Sequence, residues 1–181
     1  GKARSSHPQP DTEKWSKVIE PHQKTSAAVS AKLDTKIKRL GTLAQTTRGE
    51  VAKGKTHFNT RCATCHDGAK GGFAPPLGGG AHRTPLEVIT AILKPNEAVE
   101  GIFLTYKIIK KDGTTLEGFR SDLSHQDVTL TFMGGGQVKV SLQEIRKAGY
   151  IDGKSVMPDT MATGMSDQDI LDLMSYLRTL K

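Results

Sequence analysis

Cysteine is scarce in this chain, with two residues in 181. That excludes a disulfide-stapled scaffold and a four-cysteine metal knuckle. Aromatic residues make up only 5%. The basic groups are therefore not interleaved with stacking rings, no recognised binding motif accompanies them, and nucleic acid is not an expected partner. Long apolar runs are missing as well. Nothing approaches the roughly 20 residues that a membrane-spanning helix needs, and Gly1 to Pro10 hold no signal-peptide core. Acidic residues are few at the start. Residues 1–48 hold four against ten Lys/Arg, a balance of +6, whereas the rest of the chain holds 15 against 16, a balance of +1. This basic segment reads either as an arm that steers towards an acidic partner or anionic surface, or as a solvated linker and helix face.

Glycine, by contrast, is plentiful at 19 residues, beside a hydrophobic content of 35%. A modest core with many tight turns follows, enough for one domain plus an extension or for two small domains.

Both cysteines fall in one run, Cys62-Ala63-Thr64-Cys65-His66. This is the C-x-x-C-H pattern of covalent c-type haem attachment. Two intervening residues let one helical turn present both sulfurs to one porphyrin edge, where they add to the vinyl groups as thioethers. The next residue, His66, then lies under the iron as an axial ligand. Two other readings compete. Zinc requires two further Cys or His ligands at paired spacing, but the remaining histidines (His7, His22, His57, His82 and His125) are scattered. A thioredoxin-like redox pair follows a strand, whereas this motif follows a helical segment and precedes glycine-rich loop. The expectation is a single covalent haem c, which gives a small domain a large apolar surface to fold around. Haem attachment takes place outside the cytoplasm in bacteria. A periplasmic or otherwise extracytoplasmic location is therefore expected, with a leader or larger parent protein preceding Gly1.

Residues 1 to about 23 read as irregular, with Pro8, Pro10 and Pro21 as breakers and Trp15 as an anchor for the arm. From Lys24 to about Leu43, Val29, Leu33, Ile37 and Leu40 recur at helical spacing, which predicts an amphipathic helix. Gly41 to Gly49 looks like a boundary, so residues 1–48 are read as a basic arm with a helix and 49–181 as the main domain. Glu50 to Asn59 predicts a helix leading into the haem motif. Thr84 is an N-cap with Pro85 at the first helical position, and this helix stops near Lys94-Pro95. Residues of about 101–147 then form a β-module of roughly four strands. Its hairpins turn at Asp112-Gly113 and at Gly134 to Gly136, and Ser141 to Glu144 has capping-box spacing. After a loop through Asp159, Ser166 caps a last helix whose buried side is Ile170, Leu171, Leu173, Met174 and Leu177.

A sixth iron ligand is needed for electron cycling without large rearrangement, and a methionine thioether favours the ferrous state. Met157-Pro158 stands in a loop before the last helix, where proline stiffens the chain beside the sulfur, and it is the preferred candidate. Met161, Met165, a histidine or an open position remain, while Met133 and Met174 read as structural. Pro75 is suited to aim its carbonyl at the second ring nitrogen of His66, and Leu77 to pack on the haem face. Arg83 and His82 are either contacts for the haem propionates or solvated surface.

The chain resembles the cytochrome c-type haem-binding domain found in Planctomycetes and Verrucomicrobia, often at the C-terminal end of proteins with β-propeller dehydrogenase-like domains. The similarity runs from about Arg48 to Leu180. It rests on Arg48 to Phe58, Cys62 to His66, Ala74 to Arg83, Ile92 to Asn96, Lys110 to Gly118 and Ser155 to Pro158. The family more often has Gly-Pro-Asp-Leu where this chain has Ala74-Pro75-Pro76-Leu77. The resemblance implies a mainly α cytochrome c fold with a small antiparallel β insertion and a separate N-terminal helical extension. It implies Cys62 and Cys65 as thioether anchors, with His66 and Met157 as iron ligands. Cytochromes c in general also imply that Gly54 and Phe58 cross the last helix near Tyr176.

The expected function is one-electron transfer between a dehydrogenase partner or domain and a downstream acceptor, with no bond rearrangement by the protein itself. Two rivals are a peroxidase-like haem enzyme or gas sensor with an open sixth position, and a docking role for the β-module with the haem as passenger.

Overall fold

The computed structural model describes residues 12–68, 72–77, 83–97 and 99–180, with residues 12–26 described by backbone alone. The expectations for residues 1–11, the Trp15 side chain and His82 lie outside the described residues and side chains. Among the described residues are five α-helices and a five-stranded antiparallel sheet. They are α1 (Thr12–Thr46), α2 (Val51–Arg61), α3 (Ala63–His66), α4 (Pro85–Leu93) and α5 (Asp167–Leu177). The strands are β1 (Leu104–Lys110), β2 (Thr115–Leu123), β3 (Asp127–Thr131), β4 (Gln137–Ser141) and β5 (Ile145–Ser155).

Helix α1 is longer than the apolar pattern predicted. The stretch 12–23, expected to be irregular, is helical through Pro21. An interior proline removes one N–H bond at a cost of about 3 kcal/mol, which weakens a helix of 35 residues without forbidding it. Gly41 also lies inside α1 rather than at its end. A Cβ there would come within 2.9 Å of Leu86 Cδ1 on α4, so this glycine admits the neighbouring helix.

The chain divides into two compact units between Lys36 and Ile37. In the first, Val29 faces outward with 53% of its surface exposed. In the second, the end of α1 buries Ile37, Leu40 and Ala44 with Phe58, Ala63, Ile89, Leu93, Ile170 and Leu173 in one helical core. Each buried Leu or Ile contributes about 1.5–3 kcal/mol over exposure, so Ile37 and Leu40, with the smaller Ala44, dock the end of α1.

Helices α2 and α5 cross where the general resemblance implied. A Cβ on Gly54 would lie 2.0 Å from the Asp172 carbonyl oxygen, so only glycine fits. Phe58 and Tyr176 meet beside it with ring centroids 5.3 Å apart. Asp172 is only 1% exposed, although it sits among the apolar residues of α5. Its carboxylate accepts the Glu50 N–H at 2.8 Å and the Gln168 amide at 2.8 Å, and Ser175 Oγ accepts the Gly49 N–H at 2.8 Å. These bonds satisfy donors that a helix start leaves unpaired. Two of the three capping predictions hold as capping boxes. Thr84 and Ser166 form reciprocal capping boxes with Glu87 and Asp169.

The expectation of a mainly α fold with a small β insertion is met only in part. The sheet has the order β4-β3-β2-β1-β5 and a hydrophobic cluster of its own: Ile108, Val128, Leu130 and Val140, flanked by Tyr106, Leu116, Phe132 and Ile145. Four strands were expected, and β5 is the fifth. Ser141 Oγ accepts the Gln143 N–H and starts a single 3-10 turn, Leu142–Glu144, after which the chain extends. Lys147, Ala148, Gly149, Asp152 and Gly153 have weak strand preference, and pairing with β1 overrides it.

Candidate haem-binding site

The attachment motif sits at a break between helices. Cys62 ends α2 and precedes α3, and its carbonyl accepts the N–H groups of Cys65 at 3.1 Å and His66 at 2.9 Å. The chain then doubles back. Ala74 N–H donates to the Cys65 carbonyl at 2.9 Å, and a Cβ on Gly72 would lie 2.4 Å from that same oxygen. This return brings the Pro75 carbonyl to His66, whose Nδ1–H donates to it at 2.8 Å. With the proton on Nδ1, Nε2 presents a free lone pair. Burial holds the His66 pKa below the usual imidazole value, partly offset by the Pro75 carbonyl, so the neutral ring prevails at neutral pH. Burial also pushes the Cys62 thiol up to about 11 and raises that of Cys65. Both cysteines are partly exposed and form no disulfide.

One cavity of about 680 Å³ gathers Cys62, Cys65, His66, Pro75, Leu77, Arg83 and Met157. Of the candidate site residues read from the sequence, all but His82, which lies outside the described residues, line it. Val88 and Ile92 of α4 and Leu173, Met174 and Leu177 of α5 supply apolar surface. All five methionines of the chain also line this space: Met133, Met157, Met161, Met165 and Met174. Met165 and Met174 belong to the helical core, at 7% and 3% exposure. A flat apolar ring with two thiols and an unprotonated imidazole nitrogen at one wall, and thioethers around it, is the donor set a haem c requires. The residues present fit that group: Cys62 and Cys65 would hold its edge, His66 Nε2 would ligate from one side and a thioether from the other.

Several lining residues were not foreseen. Arg61, next to Cys62, donates to the carbonyls of Met161 at 3.0 Å and Thr163 at 3.2 Å, tying the end of α2 to the methionine loop. Phe73 and Phe103 line the cavity and stack on Phe119 of β2, at 5.0 and 5.8 Å. Met133, read as structural, reaches the cavity from the β3–β4 turn and is 59% exposed. No local pattern marks Phe103 and Met133, because the sheet brings them in from far along the chain. Arg83 pairs with Glu100 at 3.2 Å, both being well exposed, and such a pair contributes about 0–1 kcal/mol.

Among the described residues, no helix is long and apolar enough to cross a membrane. No curated protein matches the chain at a significant level. Residues 51–130, from the start of α2 into β3, match the family model for cytochrome c, which supports a cytochrome c haem-binding domain around the Cys62–His66 motif.

Proposed function

We propose that this chain is a monohaem c-type cytochrome of the Planctomycetes/Verrucomicrobia type that passes single electrons from a dehydrogenase partner or domain to a downstream acceptor. The family match supports haem-based electron transfer in general. The observation that supports a single haem ligated by His66 and Met157 is the convergence of both cysteines, His66 held by Pro75, and Met157 on one cavity. The haem, when bound, supplies an iron that alternates between ferric and ferrous states one electron at a time. The protein keeps the proximal ring in one tautomer, excludes water with Leu77, Ile92 and Leu173, and offers Met157 as a soft ligand that raises the potential. Arg83 stands where it can face a propionate. The setting is periplasmic or otherwise extracytoplasmic, where haem is attached.

The test is a pyridine haemochrome assay with intact mass on protein made in a host competent for haem attachment. One covalently added haem is the expected result, and an unmodified mass rejects the reading. Met157→Ala abolishes the far-red ferric band of thioether ligation. A high-spin ferric spectrum in the parent chain instead supports the peroxidase-like or sensor reading with an open sixth position.

A further inference from the structure

Met157 follows closely on the end of β5, and four hydrogen bonds fix the three residues that deliver it. Asn96 Oδ1 accepts the Ser155 N–H at 2.8 Å. The Thr105 hydroxyl of β1 donates to the Ser155 carbonyl at 2.9 Å. Val156 N–H donates to the Phe103 carbonyl at 3.1 Å, and Met157 N–H donates to Ser155 Oγ at 3.0 Å. Thr105 is 5% exposed, and its part-buried hydroxyl bond is costly to lose.

The strand itself is re-aimed at this point. Leu104 pairs with Ser155 and Tyr106 with Tyr150. Between those pairs β1 has only Thr105, whereas β5 has Ile151 to Lys154, with Gly153 at φ +64°. Such bulges redirect a strand's end. A cavity of about 340 Å³ borders Asn96, Thr105, Ser155 and Met157, and on that side the hydrogen bonds are the contacts that fix the segment.

We propose that Asn96, Thr105 and Ser155 are positioning residues for the Met157 thioether, and that the β-module is the frame that presents this sulfur to the iron. The proposal rests on Met157 being the distal ligand. Fixing three backbone residues in advance removes an ordering cost of about 1–2 kcal/mol per residue that a free loop would meet each time sulfur binds. It also explains why a sheet is inserted between α4 and the methionine: Asn96 follows α4, Thr105 lies in β1, and Ser155 ends β5.

The experiment uses the haem-loaded chain and exogenous imidazole, which competes with the thioether for iron. Thr105→Val, Asn96→Ala and Ser155→Ala are each expected to bind imidazole about threefold to tenfold more tightly than the parent. Faster hydrogen exchange at the Val156 and Met157 amides accompanies this. Thr105→Ser and Asn96→Asp, which keep the donor and the acceptor, restore parental affinity. Lower thermal stability with unchanged imidazole affinity and exchange would make these residues merely structural and overturn the inference. Should Thr105→Val not fold, the Asn96 and Ser155 variants carry the comparison. Met157→Ala separates the two levels. If the far-red band survives in that variant, the ligand reading itself fails and the inference with it; if the band is lost there while the other variants behave as the parent, only the inference fails.

Discussion

The two walls of the cavity are built in different ways. On the Cys62–His66 side, the bond that orients the imidazole joins residues nine apart, His66 and Pro75. One turn and a glycine-permitted return complete it. On the Met157 side, the bonds reach across 50 residues from Thr105 and 59 from Asn96, and they exist only when the sheet has formed. The first wall is local chemistry. The second is tertiary architecture with its own hydrophobic cluster, separate from the helical one that contains Ala63 and packs against Cys62 and Leu77. In the proposed haem-loaded chain, damage to the sheet is therefore expected to free the Met157 segment while leaving the Cys62–His66 wall in place.

Leu130→Ala is the strongest way to separate the walls. Leu130 is fully buried in the sheet cluster, and its truncation is expected to cost about 3 kcal/mol. Guanidinium titration of the haem-loaded variant should then show the far-red band vanishing well before helical ellipticity falls. A single coincident transition would show that the walls are not independent. Asp172→Leu makes the opposite prediction. It leaves the Glu50 N–H and the Gln168 amide without their acceptor, costing about 1–3 kcal/mol. Because it loosens α2 against α5, it should lower both signals at one midpoint.

The smallest effect concerns the α5 cap. Asp169 accepts the Ser166 N–H and hydroxyl and lies 3.1 Å from His57. These contacts, the Ser166 backbone N–H foremost, hold its pKa below the ordinary 3.8. A lowered carboxylate pKa stabilises the fold above the unfolded value and loses that contribution as pH falls through the folded one. Acid should therefore erode α5 only below about pH 4. Asp169→Asn removes that part of the pH dependence, and Ser166→Ala costs about 1 kcal/mol at neutral pH. Helical ellipticity followed against pH checks both, with the β-module unaffected.

The contrast between the walls also marks what could be read from residues alone. Thr84, Pro85 and Ser166 announced their helix starts, and Asp112-Gly113 its hairpin, because caps and turns are decided within four residues. The Cys62–His66 motif and the Pro75 carbonyl were equally legible, since their geometry closes over a short loop. Strand β5 was not, because its lysines, glycines and aspartate become a strand only by pairing with β1. Asp172 was not, because a carboxylate in an apolar helix face looks exposed until Glu50 is placed beside it. Pro21 and Gly41 were taken for breaks, whereas length and the approach of Leu86 keep the helix running through them.

The order of residues alone determined that Cys62, Cys65 and His66 share one helical turn and that the Pro75 carbonyl orients the imidazole, because each of those contacts is made within one turn or one loop. Folding in three dimensions decided what holds the segment that carries Met157. Bonds spanning half a hundred residues carry no local trace: their partners are ordinary polar side chains until sheet pairing sets them side by side.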